Sequence, residues 1–353
     1  MRELLIIKTA ALGDVLRTTS ILPGLRQRFP DLRVTWVTAP GAVDLVHNHP
    51  QVAEVVALDP KSAEDLARAE ARLKPRAWDW LLSFDDEEPL CSLASALSAK
   101  KLSGAYRDSK GSRAYTSDVG PWFDMGLLSV HGKQRADQMK IENRLSHPAI
   151  FAAMLGISIG KPLLPESQAH AQPAARFARD QGLFSNGPLI GLNTGAGGRW
   201  HSKTISPART VELAAAIAHQ LEQRATFLLF GGPGELERNA EIVSLARGRV
   251  RLVDAGCDNP LLDFASRVSL CQLLITSDSL ALHIALARNV RVMAFFAPTS
   301  AAEIETYDLG EKVVSTSPDC CSYRADADTS SLTTERLCAA ALRQLALPVG
   351  RIA

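Results

Sequence analysis

The stretch LLIIKTAALGDVLRTT, residues 4–19, decides the fold class. Leu4-Leu5-Ile6-Ile7 is a short apolar run of the kind that forms a buried strand. Thr9-Ala10-Ala11-Leu12-Gly13-Asp14 follows as a loop. From Val15 the period changes: Leu16, Leu22, Leu25 and Phe29 recur at helical spacing, which predicts a helix over residues 15–29. Strand, turn and helix in that order open a βαβ unit, whose turn lies at the carboxyl edge of a parallel sheet. Open α/β folds bind their ligands at that edge.

The same rhythm runs outward from this stretch. Residues 34–38 (VTWVT), 55–58 and 80–84 read as strands, the last ending in the acidic cluster Asp85-Asp86-Glu87-Glu88. Residues 100–144 break the pattern. They are polar, hold nine Lys/Arg against five Asp/Glu, and read as long loops with short helices. A helix over residues 146–155 is stopped by Gly156. Residues 160–188, with Pro162, Pro165, Pro173 and Pro188, read as a linker with room for a helix over 174–181. The rhythm then restarts, with strands at 189–193, 226–230, 273–276 and 290–296. Helices are expected at 209–223, 235–247, 279–288 and 333–345, the last capped by Thr333 or Thr334. The expectation is two α/β domains, residues 1–170 and 171–353.

Composition narrows the function. At about 100–200 residues per domain, 353 residues suit two domains with real cores. Lys+Arg is 39 against Asp+Glu 38, a balance that argues against coating a phosphate backbone, so no nucleic-acid partner is expected. Six irregularly spaced cysteines do not make a disulfide scaffold, and a reducing cytoplasm is expected. Lys8 and Asp14 interrupt the N-terminal apolar run, unlike a leader, and no apolar run approaches the ~18 residues of a membrane span.

Four junctions carry candidate chemistry, each beside a plainer structural reading. In the first, Gly13 permits a tight turn and Asp14 sits at or just before a helix N-terminus, which favours its charged form; it is equally an N-cap. An ionised Asp could take a proton from a sugar hydroxyl. The second is Asn193-Thr194-Gly195-Ala196-Gly197-Gly198-Arg199-Trp200-His201-Ser202-Lys203. Its glycines let backbone N–H groups approach a phosphate, Thr194 and Ser202 could donate to it, and Arg199 and Lys203 add charge. It is neither a Walker A nor a GxGxxG pattern, and a surface loop is the alternative. The third, Gly231-Gly232-Pro233-Gly234-Glu235-Leu236-Glu237, offers an acid for ribose hydroxyls or merely a first-turn glutamate. In the fourth, Ser277 or Asp278 caps a helix bearing His283, five positions from Asp278 and so off its i,i+4 face. Arg107, Lys110 and Arg113 could grip an anionic acceptor or form a solvated face. Cys320, Cys321 and Cys338 lack a CxxC pair, and no metal site is expected.

Taken together, Gly13-Asp14-Val15-Leu16-Arg17-Thr18-Thr19, the glycine-rich loop ending in Lys203, Asp278-Ser279 with His283, and Ala297-Pro298-Thr299-Ser300 resemble the ADP-heptose lipopolysaccharide heptosyltransferases, glycosyltransferase family 9. The resemblance runs from about residue 4 to about residue 345. It implies a GT-B fold: two facing Rossmann-like domains with an interdomain cleft, acceptor in the first and nucleotide-sugar in the second. It implies Asp14 as general base. Thr194, Gly195, Lys203, Glu235 (with Glu237 as the alternative), Asp278, Ser279 and His283 are implied as donor-binding. The implied reaction is an inverting displacement with neither metal nor cofactor. The implied partners are ADP-heptose and a glycolipid acceptor, met in the cytoplasm with at most peripheral contact at the inner membrane. Leu280 stands where the family pattern has glycine, and Ile205-Ser206-Pro207 where it has Trp-Pro. A GT-B relative using another nucleotide-sugar, an epimerase of similar fold, and a non-catalytic nucleotide-sugar-binding protein are the competing readings.

Overall fold

The structure, a computed structural model, describes residues 2–197 and 200–347. The chain divides into two compact units, Met1–Pro165 and Glu166–Ala353. The first holds β1 (Arg2–Ile7), β2 (Leu32–Thr38), β3 (Glu54–Ala57), β4 (Trp80–Ser83), β5 (Leu102–Arg107) and β6 (Arg113–Tyr115), in the order β3-β2-β1-β4-β5-β6. All neighbours are parallel except the β5–β6 hairpin. The second holds β7 (Leu189–Asn193), β8 (Thr226–Leu229), β9 (Leu252–Asp254), β10 (Leu273–Ser277), β11 (Arg291–Phe296) and β12 (Gly310–Val314). Their order is β12-β11-β10-β7-β8-β9, parallel throughout.

Both orders are Rossmann orders. Three strands run out to one edge, then the chain returns to the centre and builds toward the other. The reversal lies between β1 and β4 in one sheet and between β7 and β10 in the other, and ligands of such sheets bind outside the strand ends at that point. The central strands are covered on both faces by helices: Leu4–Ile7 and all of β7 and β10 are buried, as crossover helices require. Leu5, Ile7, Leu81, Leu90 and Leu93 are part of one core. Ile190, Leu192, Phe227, Ile275 and Phe295 pack with the helices Pro207–Gln220 and Thr334–Ala346 in the other.

Several elements differ from the sequence reading, for identifiable reasons. Residues 15–29 form two helices, Leu12–Thr18 and Ile21–Arg28. Thr18 and Thr19 turn their hydroxyls back onto the Asp14 and Leu16 carbonyls (2.6 and 2.7 Å), and Pro23 has no N–H to continue the ladder. The first helix starts early, with Ala11 as N-cap, so Asp14 lies within the first turn rather than at the cap. Residues 100–144, which read as long loops with short helices, contain the helix Lys133–Glu142 but also the strands β5 and β6. The misleading residue is Gly104: at φ +131° it lies so close to Ser83 that a Cβ would come within 1.9 Å of the Ser83 carbonyl oxygen. A glycine that looks like a strand breaker is here what lets β5 approach β4. The helix expected at 174–181 begins at Gln168 and contains Pro173. The short strands β9 and β12 and the helix Leu261–Val268 were not expected.

Candidate functional site

In the first unit β1 and β4 end side by side, Ile7 opposite Ser83. Just beyond them Lys8 Nζ pairs with Asp85 Oδ1 and also donates to the Ala10 carbonyl. The Thr9 N–H and hydroxyl both donate to Asp85 Oδ2, the hydroxyl at 2.9 Å. Burial opposes the Lys8 charge, but Asp85 and then Asp14 outweigh it and hold the ammonium above the usual lysine range. These bonds set the turn from which the helix Leu12–Thr18 departs. Asp14, in its first turn, benefits from the helix dipole. Its side chain is 39% exposed, and Oδ1 lies 3.0 Å from Nε of Arg17, which is only 12% exposed. The Arg17 guanidinium in turn lies over the Trp122 ring, 5.5 Å from its centroid. A solvent-reachable carboxylate thus faces two largely buried cations.

Arg107 and Arg113 oppose each other across the β5–β6 hairpin, and Lys110 stands exposed in its turn. Arg107 Nη1 pairs with Glu88 at 3.0 Å, and Arg113 donates to the Asp86 carbonyl at 2.7 Å. Their positive field is therefore partly offset by the acidic cluster that follows β4.

In the second unit β7 and β10 end together, Asn193 opposite Thr276. Asn193 Nδ2 donates to the Thr276 and Ser279 hydroxyls (3.2 and 3.3 Å), tying the two strand ends. Ser279 is the N-cap of the helix Leu280–Ala287, and Asp278 precedes it. Lys203, in the single turn His201–Lys203, donates to both the carbonyl and Oδ2 of Asp278, each at 2.9 Å, with its side chain only 14% exposed. His283 Nε2 lies 3.9 Å from Asp278 Oδ1. The two meet, despite their spacing, because Asp278 stands ahead of the helix rather than on it. Burial by itself would raise the Asp278 carboxyl. Lys203 and His283 outweigh it and hold it below the usual carboxylate range.

The glycine-rich loop is closed at its base. The Ile205 N–H donates to the Thr194 carbonyl at 3.0 Å. The Thr194 hydroxyl, expected to serve a phosphate, is fully buried and shared between Thr210 (3.0 Å) and Arg238 (2.8 Å). Ser202 is also turned inward: its hydroxyl donates to the Arg324 carbonyl and its backbone N–H to that of Ala325. Gly198 and Arg199 lie outside the described residues. Glu235, buried in the turn Pro233–Glu235, accepts from the Gly232 N–H at 2.8 Å and the Gly197 N–H at 3.4 Å. A Cβ on Gly195 would come within 1.5 Å of Glu235 Oε1, so a side chain there fits only if the Glu235 carboxylate moves aside. Glu237 is exposed and away from these contacts.

The sequence reading assigned no role to Lys8, Arg17, Asp85 or Arg238. Asp85 could have been singled out, since an acid immediately after a central strand falls at the ligand edge of the sheet. Arg238 carried no such mark: it reads as a helix-surface charge. Among the described residues, no three His, Cys, Asp or Glu side chains are grouped to hold a metal, and no helix is long and apolar enough to cross a membrane.

Residues 133–331 match the sequence family described as Glycosyltransferase family 9 (heptosyltransferase). The fold is similar to that of a family 9 glycosyl transferase from Veillonella parvula, with TM-score 0.78 at 19% identity, covering 98% of this chain and 97% of that one. It is similar to the E. coli ADP-heptose LPS heptosyltransferase II, with TM-score 0.66 at 16% identity over 98% of each chain. It is also similar to the E. coli heptosyltransferase WaaC with ADP-2-deoxy-2-fluoro heptose, with TM-score 0.58 at 19% identity, covering 97% and 98%.

Proposed function

The chain belongs to glycosyltransferase family 9, and from that premise we propose that it moves heptose from ADP-heptose to a hydroxyl of a lipopolysaccharide-core glycolipid by one inverting displacement. The observation that carries the donor half is the Lys203–Asp278 pair: a nearly buried ammonium held at the switch point of the second sheet, beside a helix N-terminus. In this reading Lys203, the backbone of the glycine-rich loop and the N-terminus of the helix Leu280–Ala287 take the charge that develops on the departing diphosphate. Glu235 takes the ribose hydroxyls. Asp14 accepts the proton of the acceptor hydroxyl as its oxygen attacks the anomeric carbon from the face opposite ADP. The bond to ADP breaks as the new glycosidic bond forms. The step is proposed to need neither metal nor cofactor.

For the acceptor, Arg107, Lys110 and Arg113 are assigned to anionic groups of the glycolipid. The neighbouring segment supports peripheral contact with the cytoplasmic face of the inner membrane. Leu127 and Val130 are 87% and 76% exposed, and Lys140 and Arg144 lie close by in sequence. Exposed apolar side chains among basic ones suit an anionic lipid surface.

Calorimetric titration with ADP, UDP, GDP and ADP-heptose tests the donor assignment. Selective binding of ADP and ADP-heptose is expected. A preference for UDP or GDP removes heptose as the donor sugar, and binding of none of the four removes the transferase reading. An Asp14→Asn variant that binds ADP normally but no longer releases ADP from ADP-heptose in the presence of a heptose-deficient core glycolipid is the expected counterpart.

A further inference from the structure

Arg17 lies one helical turn from Asp14 and is mostly buried, a costly position for a guanidinium unless charge and π-density both receive it. Asp14 Oδ1 supplies the charge at 3.0 Å and Trp122 the ring face at 5.5 Å. Trp122 is held in its turn. His147 and Phe151 meet it edge-on at 5.1 and 5.4 Å, and His147 stacks on Phe151 at 4.0 Å. Trp122 belongs to the short helix Gly120–Phe123, within the residues that interrupt the sheet rhythm of the first unit. The interruption thus delivers an aromatic platform to the first loop of the sheet. The other cation near Asp14 is Lys8, which feels the Asp14 charge but is bonded elsewhere. Lys8, from the end of β1, is paired with Asp85 from the end of β4, and Glu87 adds negative charge beside that pair. His147 sits behind the Trp122 ring.

We infer that Arg17, braced on Trp122, is a positioning residue for Asp14: it fixes the direction of the carboxylate that takes the acceptor proton. The inference rests on the reading of Asp14 as proton acceptor. Arg17 itself neither gains nor loses a proton; the acceptor proton passes to Asp14 and from there to water once the product leaves.

The test is a pH titration of the Asp14 carboxyl by carbon-13 NMR in aspartate-labelled protein, its signal identified by its loss in Asp14→Asn. The midpoint is expected to rise by about one unit in Arg17→Gln, with Arg17→Lys recovering most of the shift. Trp122→Leu, which leaves the charge but removes its brace, is expected to give an intermediate rise and stands in if Arg17→Gln does not fold. In turnover of ADP-heptose with a heptose-deficient core glycolipid, Arg17→Gln is expected to lower kcat at least tenfold with an unchanged KM for ADP-heptose, and Arg17→Lys to restore it in part. An unmoved midpoint in both Arg17→Gln and Trp122→Leu overturns the inference. An Asp14→Asn enzyme with wild-type turnover overturns instead the proton-acceptor reading, and the two failures are read from different experiments.

Discussion

Lys203 reaches Asp278 twice, donating at 2.9 Å to its main-chain carbonyl and at 2.9 Å to its carboxylate. One side chain therefore secures both the position of a loop and the charge of a neighbouring acid. Replacing it tests two things that a double-mutant cycle can separate.

Lys203→Met is expected to weaken ADP binding by roughly 10- to 100-fold, the loss of a charge-assisted contact of about 1.5–3 kcal/mol. It is also expected to destabilise the fold by leaving Asp278 buried without its cation. Lys203→Met/Asp278→Asn is then expected to recover stability but not affinity. The Asp278 carboxyl is held below its ordinary 3.8, so its contribution is present above pH 3.8 and lost as pH falls below it. Calorimetry and urea unfolding at pH 7 and pH 3 read both effects. A double variant that binds ADP as tightly as wild type removes Lys203 from the donor site.

Gly195→Ala is expected to displace the Glu235 carboxylate, since the new Cβ has no room beside Oε1. Both backbone bonds that Glu235 accepts are then lost, and ADP affinity falls at least tenfold with a lowered Tm. Adding Glu235→Ala relieves the clash and is expected to restore Tm while affinity stays low. If Gly195→Ala alone leaves Tm and ADP affinity unchanged, the close approach of the two loops is not what constrains position 195.

His49 gives a pH dependence outside the proposed site. Its ring is buried, Nδ1 accepts from the Gln51 N–H at 3.2 Å, and Nε2 has no hydrogen-bond partner among the described residues. Burial lowers its pKa from 6.5 to about 4, so the folded chain keeps it neutral. Between those values the unfolded chain binds a proton that the folded chain does not. Stability from this group is therefore complete above pH 6.5 and falls as pH drops toward 4, by up to ~3 kcal/mol. Denaturant midpoints of wild type and His49→Leu across that range check the sign. Parallel curves would show that another group sets the slope.

What was legible in the sequence was whatever depended on local period. Leu4–Ile7 and Leu189–Asn193 are unbroken apolar runs because both faces of a central parallel strand are covered, and each announces itself. Gly156 ends its helix in the left-handed conformation that glycine favours. The edge strands β6, β9 and β12, and β5 beside β6, were not legible, although the edge strand β3 was. β12, reading GEKVV, and β5, reading LSGAYR, bury too little for an apolar run, and Gly104 looks like a break until Ser83 is seen beside it. In the site, residues on the first loop after a strand could be proposed from position alone. Pairings across distance could not. Lys8 with Asp85 and Arg17 with Trp122 join segments whose proximity is a product of the sheet order.

The closed base of the glycine-rich loop has an evolutionary corollary. Ile205 bonds back to Thr194, and Arg238 grips the Thr194 and Ile205 carbonyls, so the two ends of the loop are fixed to each other. Gly195, Ser202 and Lys203 inside it are tied in turn to Glu235, Arg324 and Asp278, so a substitution at any of them is felt beyond the loop. Change at this junction therefore has to come in compensated steps, of the kind the paired substitutions above imitate.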